Sequence, residues 1–552
     1  MSIVKEEYEN LTPQGERLCD VVVLAQAWKK SHTYIRRHNW YSDVLELDVS
    51  TIDLENKLTE WAEALKTPNF RPAELMLVPA PKNARWIFRQ KQQPQNFEEL
   101  AKSNWNGLFG LTPPFEYWVP AETKVSYNEF GFPQPHEYER NAKLRPLAHL
   151  SIRDQTLMTA AMMCLAEAVE SAQGDTMGDD VSAMRQAGIV SYGNRLDGSW
   201  SPSAGGASRF RFSWGNSRTY RQYFQDYRTF LARPRRVCAE LVSSLESKTD
   251  LYVVSLDIKS FFDRIDRDAL ISELRKLDSE HSVVHGLPDQ IKSDSMFWDR
   301  LSKLFAWEWR EEDHQKASLI SSENEGLLDL GLPQGLMASG FFANAYLVRF
   351  DRSIHQATTE GVVIDPNIKL LDYCRYVDDM RIVVEVKKTS YSFDKSSVLE
   401  AVKKFIEKEL RRHCEIIGAN VNLELSEDKC VATPYKAIST QSHVSALMET
   451  LNAELSGTFD MESLTQAAGG LDGLLWMSDQ IETSTEPLDS PLSLATIAVP
   501  NTDVRDDTVK RFVATRISQL MRQRLAMTDL EGPVGNSEAL TDNVTQGVLL
   551  SH

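Results

Sequence analysis

Three acidic side chains have the placement that phosphoryl transfer to a nucleotide requires. Asp257 closes the apolar run Leu251 to Leu256 (LYVVSL), which suits a buried strand, and Asp378 and Asp379 lie in the tight turn of a strand-turn-strand, CRYVDDMRIVVEV. Charge building on a transferred phosphoryl group can be neutralised by two Mg²⁺ ions about 3.5–4 Å apart, held by carboxylates converging from separate strands. Neighbouring strands would bring these three acids together. Adjacent aspartates at a hairpin tip repel unless water or a cation screens them, so the pair suits a hard ion, Mg²⁺ with Mn²⁺ able to substitute. A lone Asp-Asp is more often a solvated turn, and the weight therefore rests on what surrounds it.

The surroundings are specific. Tyr376-Val377-Asp378-Asp379 resembles the signature of reverse transcriptases, and Asp257-Ile258-Lys259-Ser260-Phe261-Phe262-Asp263-Arg264-Ile265-Asp266 is similar to their first palm motif, particularly in the group II intron and retron lineage. Between them, in the family's order, Leu332-Pro333-Gln334-Gly335 with Ser339 and Ala343-Asn344-Ala345-Tyr346-Leu347 resembles the LPQG motif. Lys143-Leu144-Arg145-Pro146-Leu147 is similar to the family's fingers strand, Asp154 and Gln155 to the start of the helix after it, and Ser191-Tyr192-Gly193-Asn194-Arg195 to the YGFR-type motif of bacterial lineages. Leu423-Glu424-Leu425-Ser426-Glu427-Asp428-Lys429 resembles the motif whose lysine can protonate the pyrophosphate leaving group. The likeness runs from Lys143 to Tyr435, more than half of the chain.

The resemblance implies roles. Asp257, Asp378 and Asp379 would hold two Mg²⁺ ions, with Ile258 among the metal and nucleotide contacts, and Lys429 would be the general acid. Arg145 would contact the incoming triphosphate, with Lys143 beside it, and Gln334, Gly335 and Tyr376 would line the nucleotide. Phe262, five residues after the first aspartate, would place its ring where a ribose 2′-hydroxyl lies and so select deoxynucleotides; an RNA polymerase needs a polar contact there. As a residue alone, Phe262 could equally be core. One departure stands out: the proline that normally follows the motif's serine is Gly340, which would loosen a loop near the template base.

The net charge of −18 argues at face value against a nucleic-acid partner. From Ala437 to His552, however, sixteen acids oppose six bases, which supplies −10 of the total, while Arg209 to Arg236 holds eight arginines and the single acid Asp226. Local charge therefore matters more than the sum. In that segment arginines alternate with Phe210, Phe212, Trp214, Tyr220, Tyr223, Phe224, Tyr227 and Phe230, the residue types that contact phosphate and stack on bases. Arg218, Arg221 and Tyr220, together with Arg195 upstream, are the candidate nucleic-acid contacts. The alternative is a helix whose aromatic face is core and whose arginines are solvated or paired.

The elements that must position these residues read as an α+β fold: a right-hand polymerase with fingers, an antiparallel palm sheet and helical additions at both ends. The expected divisions are a helical extension over 1–72, fingers with the Arg/aromatic segment over 73–250, a palm over 251–436 and a helical, thumb-like or repeat-like domain over 437–552. A helix over 154–171 should begin on an Asp cap and another should span Ser396 to Cys414; His149 and His413 read as structural.

The 42% hydrophobic and 25% charged content is that of a chain with real cores, and no stretch reaches the roughly 18 apolar residues of a membrane span. Six scattered cysteines without zinc spacing read as reduced thiols, and a cytoplasmic location is expected. No RNase H carboxylate cluster or endonuclease extension is evident. The chain thus resembles the bacterial defence-associated (abortive-infection or unknown-group) reverse transcriptases, which implies DNA synthesis from dNTPs on an RNA, one candidate being a dedicated non-coding RNA, or without a conventional template. It also implies assembly into a homo-oligomer or with a partner protein. A mobile-element reverse transcriptase, an RNA polymerase and a catalytically silent nucleic-acid-binding scaffold are the rivals.

Overall fold

The apolar run that ends in Asp257 becomes an interior strand of a sheet. In the computed structural model the described residues are 8, 11–37, 42–81, 86–90, 116–120, 144–176, 178, 180–202, 208–221, 223–245, 249–320, 330–387, 395–427 and 429–438. The strands are β1 (Met76–Pro81), β2 (Trp86–Gln90), β3 (Glu116–Pro120), β4 (Leu144–His149), β5 (Gly198–Pro202), β6 (Ser208–Phe212), β7 (Thr249–Asp257), β8 (Val363–Asp365), β9 (Ile368–Tyr376), β10 (Asp379–Lys387) and β11 (Val431–Pro434). Five of them form one antiparallel sheet in the order β11-β7-β10-β9-β8. Its central strands read as continuous Val/Ile/Leu runs because both faces are covered: Val253, Val254, Leu256, Ile382, Val383 and Val384 are all buried.

The chain divides into two units. The first holds residues 1–78, 146–442 and 500–503, including this sheet and the helices that pack on it, Tyr223–Leu241, Ser339–Glu360 and Lys395–Ile417. The second holds 79–145, 443–499 and 504–552, and its described part includes the antiparallel pair β2 and β3. Among the described residues no helix is long and apolar enough to cross a membrane. The proposed C-terminal domain lies outside the described residues from 439 onward, as does Lys143.

A helix spans Ile152–Gln173, longer than expected, and its cap is Ser151, whose hydroxyl accepts from the Asp154 amide. Asp154 sits inside the first turn instead and accepts from the Ala73 amide at 2.7 Å. This helix is buried almost all round, as its run AAMMCLA allows. Two acids near its end, Glu167 and Glu170, are also buried, and such charges persist only when paired. Arg209 of the Arg/aromatic segment pairs with Glu167, and Arg195, upstream of that segment, pairs with Glu170.

His413 lies in helix Lys395–Ile417, one turn further at its end than expected, and is buried against the edges of Tyr346 and Phe350. Burial drives its pKa down to about 4, against a smaller opposite pull from Glu273, and burial together with His285 drives His281 down to about 3. Below the ordinary imidazole value of 6.5 the unfolded chain therefore binds protons that the folded chain refuses, and both groups withdraw stability as pH falls. Asp226 works the other way: burial raises it to about 6, offset in part by Arg221, so the folded form takes up a proton first. His32, His285 and His355 are lowered in the same sense as His413 and His281, and Glu46, Glu167 and Asp278 are raised like Asp226. The five histidines, whose ordinary value of 6.5 lies inside the window, dominate it, and the melting temperature should drop between pH 7 and pH 5. In His413→Phe that drop should shrink, by at most about 1.4 kcal/mol per pH unit. Melts of both proteins at the two pH values check this, and an unchanged difference contradicts it.

Candidate active site

The carboxylates are placed by strand register. β10 pairs with β7 so that Asp379 lies opposite Asp257, and with β9 so that Asp379 lies opposite Tyr376. Only Val377 and Asp378 remain to make the turn. The Asp378 carbonyl accepts from the Ile258 amide at 3.1 Å, tying the turn to the end of β7. Carboxylate oxygens of Asp257, Asp378 and Asp379 consequently all lie within 4.8 Å of one another. Asp257 and Asp379 are buried and Asp378 is partly exposed, so the cluster has one open side.

The Lys429 ammonium approaches Asp257 Oδ2 at 2.9 Å, and at 51% exposure it also reaches solvent. Its segment is held by backbone pairing: Ile258 bridges Leu425, the Lys259 amide donates to Glu424 and the Ser426 amide donates to the Asp257 carbonyl. Three oxygen donors of this closeness, with one ammonium beside them, fit a hard divalent cation such as Mg²⁺.

Phe262 is half-buried in the short helical turn Phe261–Arg264 that follows β7, and its carbonyl accepts from the Leu332 amide at 2.8 Å. This bond stitches Leu332-Pro333-Gln334-Gly335 onto the first acidic segment. Gln334 also donates from Nε2 to Asp263 at 3.3 Å, and its carbonyl accepts from Ala148 of β4. A Cβ on Gly335 would collide with the Ala148 carbonyl, so in this structure the close approach that requires glycine is to β4. Gln155 secures the loop from the other side, donating to the Gly335 carbonyl at 2.7 Å and accepting from the Met337 amide at 3.0 Å. Arg145 belongs to β4, but its side chain lies outside the described residues. Gly340 is not in a loop: it occupies the first turn of helix Ser339–Glu360, where a Cβ would strike Asn194. The missing proline is therefore a packing requirement rather than a loosened segment.

The Arg/aromatic region is largely internal in its described part. Arg195 is buried and donates to Glu170 at 2.7 Å, and Arg209 donates to Glu167. Arg221 pairs with Asp226 at 3.0 Å, and Tyr220 donates its hydroxyl to the Met337 carbonyl. Of the four expected nucleic-acid contacts, Arg218 is the exposed one. Phe210, Phe212, Tyr227 and Phe230 are buried, and Tyr227 and Phe230 pack on Tyr376 at ring distances of 5.1 and 5.8 Å. The alternation thus supports the hairpin of Asp378 and Asp379 from within, because buried glutamates and a buried tyrosine ring need arginine and aromatic partners.

Sequence reasoning passed over Arg375, Asp351 and the Arg233–Asp372 pair. Arg375 is fully buried inside β9, and Arg233 makes a two-point contact with Asp372 at 2.7 and 2.9 Å. The available signal was a charged residue inside an otherwise apolar strand, which is costly unless paired.

Residues 217–445 match the family described as reverse transcriptase (RNA-dependent DNA polymerase). Among solved structures the chain is similar to apo telomerase from Candida tropicalis, at 12% identity over 69% of this chain and 60% of that one, with a TM-score of 0.27. It is also similar to telomerase from Candida tropicalis in complex with a fragment of telomeric RNA, at 12% identity over 64% and 46% of the two chains and a TM-score of 0.24. A telomerase complex from Candida albicans gives 13% identity, 54% and 50% coverage and a TM-score of 0.21. The chain thus spans about 60% of the length of the first of these. The curated proteins contain no match. Residues 217–445 thus carry a reverse transcriptase domain.

Proposed function

We propose that the reverse transcriptase domain adds deoxynucleotides to a nucleic-acid 3′ end by phosphoryl transfer at Asp257, Asp378 and Asp379. The observation that carries this reading is the convergence of the three carboxylates within 4.8 Å on adjacent strands. Two bound Mg²⁺ ions would supply charge neutralisation at the transferred phosphorus. The chain's own residues do the rest. The primer 3′-hydroxyl loses its proton to solvent as its oxygen bonds to the α-phosphorus, the bond from that phosphorus to the oxygen bridging to the β-phosphate breaks, and Lys429 gives a proton to the departing pyrophosphate. Arg145 meets the triphosphate, while Gln334 and Gly335 shape the floor beneath the nascent pair. The five-stranded sheet is the palm in this reading, the β4 region belongs to the fingers, and the acidic segment from Ala437 supports assembly.

Phe262 is the sugar gate. Its position directly after the strand of Asp257, half-buried and fixed through its carbonyl to Leu332, supports that role. Phe262→Val should raise incorporation of ribonucleotides relative to deoxynucleotides by roughly 10-fold or more, since losing a steric wall frees on the order of 1–3 kcal/mol. Primer extension with dNTPs and with NTPs, on both proteins, measures this. Wild-type preference for NTPs would make the enzyme an RNA polymerase, and unchanged discrimination in the variant would remove Phe262 from the gate.

The biological setting we infer is phage defence, with DNA made on a dedicated RNA or without a conventional template. It rests on motif resemblance and on a net charge of −18, which suits recognition of one RNA by shape and stacking better than electrostatic grip on arbitrary strands.

A further inference from the structure

Val377 carries a cost that the rest of the hairpin must offset. It is β-branched, yet its φ is +57°, in the left-handed region that such residues avoid. The two-residue turn demands this, because short hairpin connections need positive φ to follow the strand twist. A conformation of this kind persists only where its surroundings impose it.

Those surroundings come from β9 itself, helix Ser339–Glu360 and the segment around Gly193. The Arg375 guanidinium donates from Nη1 to the Val377 carbonyl at 3.2 Å and to Asn344 Oδ1 at 2.8 Å. Its other nitrogens grip Asp351, with Nε at 2.8 Å and Nη2 at 2.7 Å. Asn344 in turn donates from Nδ2 to the Gly193 carbonyl at 2.6 Å. Gly193 lies flat against the turn: a Cβ there would sit 2.8 Å from the Val377 amide nitrogen and 2.7 Å from its Cγ2. The same segment is fastened to β9 by Arg375 donating its amide to Val190 and Tyr192 donating its amide to Arg375.

We propose that Arg375, Asn344 and Gly193 are positioning residues that hold Val377 left-handed and so set the spacing of the catalytic carboxylates. Arg375 fixes the turn's carbonyl, Asn344 fixes both Arg375 and the Gly193 strip, and Gly193 leaves the exact space that the turn fills. The Ser191 to Arg195 motif acts as the seat of the catalytic hairpin and has no need to touch substrate. This proposal rests on the metal-site reading above.

The test measures Mn²⁺ binding to the purified full chain by electron paramagnetic resonance, alongside thermal melts. Asn344→Asp keeps the volume and the acceptor for Arg375 but removes the donor to Gly193. Its added negative charge would by itself tighten cation binding, so weaker binding can come only from displaced carboxylates. Gly193→Ala presses on the turn from the opposite side. Both variants should bind Mn²⁺ about 10-fold or more weakly, with raised Mn²⁺ demand in primer extension. Ile406→Val, in helix Lys395–Ile417, serves as a destabilised control and should bind like wild type. Wild-type affinity in a folded Asn344→Asp protein, or equal weakening in Ile406→Val, overturns the proposal. Wild-type protein whose Mn²⁺ binding is unaltered by Asp378→Asn overturns the metal site itself and this inference with it.

Discussion

Replacing Asp378 with asparagine should reduce dNMP incorporation by about 10³-fold or more, the several kcal/mol that metal charge stabilisation contributes. The change keeps volume and one oxygen acceptor but removes a negative charge from a turn whose backbone stays bonded to Ile258. Folding should not suffer. Three carboxylates within 4.8 Å repel one another without a cation, so the melting temperature measured in chelator should hold or rise. Rates from single-nucleotide extension and melts on the same preparation check both halves. Activity above a few per cent of wild type would remove Asp378 from the metal ligands. On the proposed defence role, cells carrying the wild-type locus should resist phage and cells carrying the Asp378→Asn version should not; equal protection by both versions would separate defence from synthesis.

Lys429→Met should lower the rate of incorporation by about 10²–10⁴-fold, the range for losing a positioned general acid. The methionine keeps much of the apolar stem. Because the ammonium is 51% exposed and its pair with Asp257 is partly screened, the cost to stability should be small. The apparent affinity for dNTP should change much less than the rate, since the proton is needed at bond breaking. Rapid-quench measurements across dNTP concentrations separate the two quantities. A variant that keeps more than about a tenth of the rate would assign the proton to another donor.

Much of this site was legible before any coordinates, for a physical reason. Strand period and turn chemistry are local, so an apolar run ending in Asp257 and a hairpin around Asp378 could be read directly, and antiparallel pairing then set Asp379 opposite Asp257. The Arg/aromatic segment shows where local reading stops. An arginine that binds phosphate and one that pairs with a buried glutamate look alike in sequence; only packing reveals that Arg195 meets Glu170 and Arg209 meets Glu167. The same holds for Gly340, whose missing side chain reads as looseness until Asn194 is found against it. Ser151 precedes the helix and Asp154 lies three residues on, inside its first turn, a distinction set by backbone geometry that either residue type would suit. Arg375 escaped notice because its partners, Asn344 and Asp351, lie more than twenty residues away on another element.

On the function proposed above, this chain joins deoxynucleotides at a divalent-cation site made by Asp257, Asp378 and Asp379. The most direct test is incorporation of labelled dNTPs by the purified full chain held first in chelator and then supplied with Mg²⁺. Reactions would run on a DNA-primed RNA, on RNA that co-purifies with the protein, and with no added template. No product is expected in chelator, and DNA product is expected to appear when Mg²⁺ is added. Absence of product in every Mg²⁺ reaction, or equal product in chelator, would contradict it.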